Sequence, residues 1–193
     1  MAQSNVKNYA DAEILERVES TAKGFTDFPS NYWLVGIRSA EDQLNFNDDK
    51  FYLFKGKRFV GVWRGTTHAG SDLINPTNQK GVGVIQADNI FYDSHKLGRH
   101  RGKVEAYIQY KALPIHRDND RDRKAEELGE ANWEIGGFNF HPESYVKGST
   151  VDRETIDGWS IGCLCLAKRS HFDEAMRLMN GQTYLTICLL NEW

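Results

Sequence analysis

Residues 50–54 (KFYLF) and 58–64 (RFVGVWR) are two β-rich runs separated only by Lys55-Gly56-Lys57. Runs of this kind joined by a short glycine-containing loop form a β-hairpin. Other segments extend the pattern. Residues 32–37 (YWLVGI) and 183–190 (TYLTICLL) read as strands, and 103–110 (KVEAYIQY) alternate as a half-buried strand does. Residues 65–85 are rich in Gly, Thr, Asn and Pro and read as a long loop entering a short strand. Two segments carry helical spacing. Residues 9–23 set Ile14, Leu15 and Val18 on one narrow stripe and stop at Gly24. Residues 170–180 have Ser170 as the expected N-cap, Phe172, Ala175, Met176 and Met179 on one face, and Gly181 as the stop. Several strands, one late helix and a closing strand predict a mostly-β α+β fold.

The 193 residues carry 24 basic against 27 acidic side chains, a net charge of −3. That balance argues against a nucleic-acid coat or a polybasic membrane binder. No stretch approaches the roughly 18 apolar residues of a membrane span. The N-terminus, MAQSNVKNYADAE, has no apolar core of a secretory signal, so synthesis in the cytoplasm is expected. Residues 117–131 are a charge run, expected to be a solvated loop or short surface helix. Within it Asp118, Asp120 and Asp122 space like a calcium loop, but the sixth position is Arg123 and the twelfth Gly129, so a solvated loop is the better reading. His95, His100 and His116 form no compact metal pattern, and no metal or cofactor is expected. The three cysteines, Cys163, Cys165 and Cys188, make no C-x-x-C pair. Cys165 and Cys188 read as small buried hydrophobes.

The chemistry concentrates in residues 139–166. Cys163 follows Gly162 in Ser160-Ile161-Gly162-Cys163-Leu164. A glycine there permits backbone geometries a side chain would block, and lets a substrate approach the Gly162 and Cys163 amides as an oxyanion hole. A free cysteine is only about 3% thiolate at pH 7, so it needs a base or cation beside it. His141, upstream after the β-like run GGFNF, is the candidate base. Taken on residues alone, a buried structural cysteine and an unrelated histidine would give the same pattern.

The arrangement resembles the catalytic motif of the L,D-transpeptidases (YkuD-type domains): a His, a gap, then Ser/Thr-x-Gly-Cys and an aliphatic residue. His141, Ser160, Gly162, Cys163 and Leu164 occupy those places, with a gap several residues longer than usual. FYLFKGKRFVGVWRGTT resembles the family's early hairpin, and helix 170–180, Gly181-Gln182-Thr183 and the last strand resemble its C-terminal elements. The likeness spans roughly residues 48–190. It implies a β-sandwich or barrel over 48–193, with 1–47 as a helix-strand appendage able to dock a partner. It also implies Cys163 as nucleophile and His141 as its base, with the carbonyl of Pro142 orienting the ring. The family's histidine between Ser/Thr and Gly is Ile161 here, which removes a side-chain donor, and its following polar residue is Cys165.

The implied substrates are peptidoglycan stem peptides, with acyl transfer to water (hydrolase) or to an amine (cross-linker) both open. Arg99, His100 and Arg101 are candidates for binding a stem carboxylate. Trp159, beside the motif, is a core aromatic or a substrate platform. YWLVGIRS resembles the opening of bacteriophage and prophage proteins, which implies a virion-associated cell-wall role. The alternative is a non-catalytic structural or adaptor protein of a virion, with virion proteins as partners.

Overall fold

The computed structural model describes residues 5–41, 45–122 and 124–193. Residues 1–4 and 42–44 of the expected appendage, and Arg123 of the acidic run, lie outside them. The fold is α+β and mostly β. In chain order come α1 (Asp11–Thr21), β1 (Tyr32–Arg38), β2 (Asp49–Lys55), β3 (Arg58–Thr66), β4 (Val82–Ile85), β5 (Asn89–His100), β6 (Val104–Gln109), β7 (Leu113–Asp118), β8 (Asn132–Glu134), β9 (Phe140–Pro142), β10 (Leu164–Leu166), α2 (Arg169–Leu178) and β11 (Tyr184–Asn191). A closed barrel runs β1-β11-β5-β6-β9-β10-β3-β2, and β4-β7-β8 form a separate three-stranded sheet. Among the described residues no helix is long and apolar enough to cross a membrane.

Alternation along the strands divides the core in two. On β1 and β11, Leu34, Leu185, Ile187 and Leu189 join one cluster with Phe51, Phe140 and Leu164. Trp33, Val35, Ile37, Cys188 and Leu190 face the other way, where Ile14 and Val18 of α1 cover them. The strand of the expected 1–47 appendage therefore does not stand apart. β1 is barrel wall, parallel to β11 and antiparallel to β2.

α2 supports the site from behind. Its Phe172 is buried and packs 5.3 Å from Phe140 on β9. Its N-cap is Lys168, without a side-chain cap bond; Ser170 lies inside the helix. The backbone N–H of Ser170, one of the first-turn donors without an intrahelical partner, donates to Ser149 O at 3.0 Å.

The charge run 117–131 is not a purely solvated loop. Arg117 and Asp118 end β7, Asp118 and Ala125 are buried, and Glu127 accepts a bond from the buried Arg38. Asp118 is held by the N–H groups of Asp120 and Glu126, which fold the chain back on itself. The carboxylates of Asp120, Asp122 and Glu126 lie within 4.8 Å of one another on the surface.

Candidate functional site

β9 and β10 are adjacent parallel strands, with Phe140 opposite Leu164 and His141 opposite Cys165. Leu164 points into the barrel core, so Cys163 and Cys165 share the opposite face with His141. This register decides which cysteine the histidine meets. His141 Nδ1 donates to the Pro142 carbonyl at 3.0 Å, which leaves Nε2 as the basic nitrogen. Nε2 lies 3.3 Å from Sγ of Cys165. Cys163 instead directs its thiol to the Gly137 carbonyl at 3.4 Å. The structure thus pairs His141 with Cys165 and sets Cys163 diagonally across the strand pair. Cys165, expected to be an inert hydrophobe, is the immediate partner of the candidate base; Cys188 is buried between barrel and α1.

Cys163 is the cysteine that reaches a cleft. It is 8% exposed, whereas Cys165 and Cys188 are 0% exposed. It lines a cleft of about 400 Å³ together with His100, Arg101, Arg117, Gly137 and Ile161. The three cationic or polar side chains come from β5, the β5–β6 turn and β7, which the topology gathers around β9 and β10.

The loop before Cys163 is built by two residues. Gly162 has φ +126, and a Cβ there would lie 2.6 Å from the Gly83 carbonyl and 2.7 Å from the Phe138 ring. Only glycine fits both conditions. Ser160 Oγ sits against the carbonyls of His68 and Cys163, each at 2.8 Å, and accepts the Gly162 N–H at 3.1 Å. The Gly162 amide, expected in an oxyanion hole, is therefore already bonded. Ser160 is a loop-forming residue here.

Burial sets the ionisation of the site. It pushes the Cys163 thiol up to about 11, against the pull of the Asn139 backbone N–H and the Arg101 charge. Cys165 is raised further. Burial also takes His141 down to about 3, with neighbouring His100 adding to the effect. At neutral pH the resting site holds thiols and neutral imidazoles.

His100 is the histidine that shares the cleft with Cys163. Its ring stacks on His141 at 3.9 Å. Arg101 follows at the cleft rim, but Arg99 turns away and donates to the carbonyls of Gly102 and Lys103. Arg99 is thus separated from His100, because successive strand residues face opposite sides, while Arg101 lies past the strand end in the turn. Trp159 is half-buried, edge-on to Tyr145 and under Arg153, and is not among the residues lining the cleft. His95 is fully buried and bonded to Phe138 O, a structural role. Sequence reading passed over Asn139 and Arg117. Asn139 was findable, since it lies two residues before His141 on the same strand face.

No family model and no curated protein sequence matches the chain. Among solved structures, it is similar to the helical cell shape determining protein Pgp2 from Campylobacter jejuni, with a TM-score of 0.33 and 12% identity. That match covers 95% of this chain, which spans 57% of the length of the Pgp2 chain.

Proposed function

We propose that the protein is a cysteine-dependent acyl-transfer enzyme acting on peptidoglycan stem peptides, with Cys163 as nucleophile. The observation that carries the reading is the position of Cys163. It is the cysteine that reaches the cleft, beside a glycine that only glycine can replace and opposite His100, Arg101 and Arg117. A substrate carboxylate suits the Arg101 guanidinium, whereas that of Arg117 is paired with Glu134. In the reaction, Cys163 Sγ bonds to a peptide carbonyl carbon and its proton passes to His141 Nε2 once the Cys163 thiol turns from the Gly137 carbonyl and the Cys165 thiol turns from that nitrogen. The proton then leaves on the departing amine as a thioester forms. Water or a second amine resolves the thioester.

The test is incubation of the protein and of Cys163→Ala with muropeptides, read by mass spectrometry. A mass change that requires Cys163 is expected, and the product identifies the acceptor. Intact muropeptides in both samples would overturn the assignment.

One observation favours a second reading, a non-catalytic virion protein that binds wall or partner proteins. His141 Nε2 is occupied by Cys165, and the thiol of Cys163 is held protonated. Under that reading Cys163→Ala binds muropeptides as the wild type does, without converting them.

A further inference from the structure

His100 ends β5 with its Nδ1 3.0 Å from Nδ2 of Asn139. The neighbouring bond determines which group donates. The backbone N–H of Gln109 donates to the Asn139 oxygen at 2.9 Å, so the amide oxygen faces Gln109 and the NH₂ faces His100. His100 Nδ1 is therefore an acceptor, and in the neutral ring the proton sits on Nε2. Stacking on His141, with 22° between the planes, fixes the ring's tilt. Among the described residues the side-chain hydrogen bonds of His100 end at Asn139. Among the described residues its Nε2–H has no hydrogen-bond acceptor, and the ring lines the cleft with Cys163.

The cleft also has a vacancy in its chemistry. A thiol attack on a carbonyl needs donors for the oxygen that becomes charged. Of the two amides expected there, those of Gly162 and Cys163, the Gly162 N–H is taken by Ser160, which leaves the hole one donor short, and Ile161 offers no side-chain donor. We infer that the Nε2–H of His100 donates to the carbonyl oxygen of the acyl group at Cys163, and that Asn139 is the positioning residue that holds the ring in this tautomer. The inference rests on Cys163 being the nucleophile. When Sγ bonds to the carbonyl carbon, the π pair moves to oxygen. That oxyanion accepts from Nε2–H, which keeps its proton; the thiol proton goes to His141. Burial, reinforced by Arg101, keeps His100 from charging, so it acts as a neutral donor.

Two reagents separate the donor from a structural role. N-acetyl-alanyl-alaninal adds reversibly to a thiol as a hemithioacetal and develops charge on the former carbonyl oxygen. Iodoacetamide alkylates the same sulfur by displacing iodide and develops no such charge. His100→Ala is expected to weaken the hemithioacetal about tenfold or more while leaving iodoacetamide labelling of Cys163 unchanged. His100→Gln, which restores an N–H, is expected to recover part of the loss. Nitrogen-15 NMR of the wild type should show His100 protonated at Nε2 and bare at Nδ1, a preference lost in Asn139→Ala. Equal aldehyde affinity for wild type and His100→Ala overturns the inference. So does a proton on Nδ1, or the absence of a wild-type hemithioacetal when iodoacetamide labels Cys163. Inert muropeptides alongside the expected aldehyde pattern would defeat the proposed activity and leave the donor standing.

Discussion

Glu143 follows the strand that carries His141 and is fully buried. Its Oε2 accepts from Asn47 Nδ2 at 2.8 Å, while Oε1 and the Asn47 oxygen have no hydrogen-bond partner among the described residues. Burial raises its pKa from 4.5 to about 8, so the folded protein keeps a proton that the unfolded chain releases. Stability should therefore fall as pH rises from 4.5 to about 8. Glu143→Gln supplies a permanent donor to the orphaned oxygen. The variant is expected to melt above the wild type at pH 8 and to lose that advantage at pH 5, by calorimetry. Cys163 gives a second titration. With its thiol near 11, iodoacetamide labelling should be slow at pH 7 and climb about tenfold per pH unit to pH 10. A labelling rate already flat at pH 7 would mean a preformed thiolate. Much of this scale was legible: the Gly162-Cys163 pair and His141 stand out in the sequence. Which cysteine His141 meets was not, because it depends on the register of β9 against β10, and a shift of one residue exchanges the faces.

The β5–β6 hairpin carries the cleft's outer charge. Its turn puts Arg101 at φ 48 and Gly102 at φ 68, and Lys103 N–H closes on His100 O at 2.9 Å. Positive φ at both centres suits glycine or asparagine, and an arginine at the first costs roughly 1 kcal/mol. Arg101→Gly is expected to stabilise the fold by about that amount in thermal denaturation while removing the charge from the rim. At α2, Phe172→Ala should destabilise by about 3–5 kcal/mol in urea titration, since the ring is buried against Phe140. Elements with strong local patterns were readable. The 50–54 and 58–64 runs form β2 and β3 across the glycine turn, and the strand of 32–37 is β1. β5 was missed, because His95, Lys96, Arg99 and His100 give it no apolar alternation. Its burial comes from neighbours that sequence does not reveal.

At the scale of the molecule, β1 is a barrel strand and α1 covers the outer face of β1 and β11. The fragment 48–193 lacks both, which leaves β2 and β11 with open edges and the Cys188–Leu190 face uncovered. That fragment is expected to lack cooperative unfolding, as followed by far-ultraviolet circular dichroism. Arg38 adds a lock, donating to Thr67, Ile85 and Glu127 from a buried position. The parallel seam also sets a timetable. Trp33 pairs with Thr186, a partner about 150 residues later in the chain. At about 5–20 residues per second of synthesis, β1 waits on the order of ten seconds for β11 to exist. Through that interval Leu34 has no barrel core to enter, and Trp33, Val35 and Ile37 lack the Cys188 and Leu190 side chains that complete their layer under α1. The nascent protein therefore passes through an aggregation-prone stage whose length is set by translation, and slowing the ribosome between β2 and β11 should lower the soluble yield.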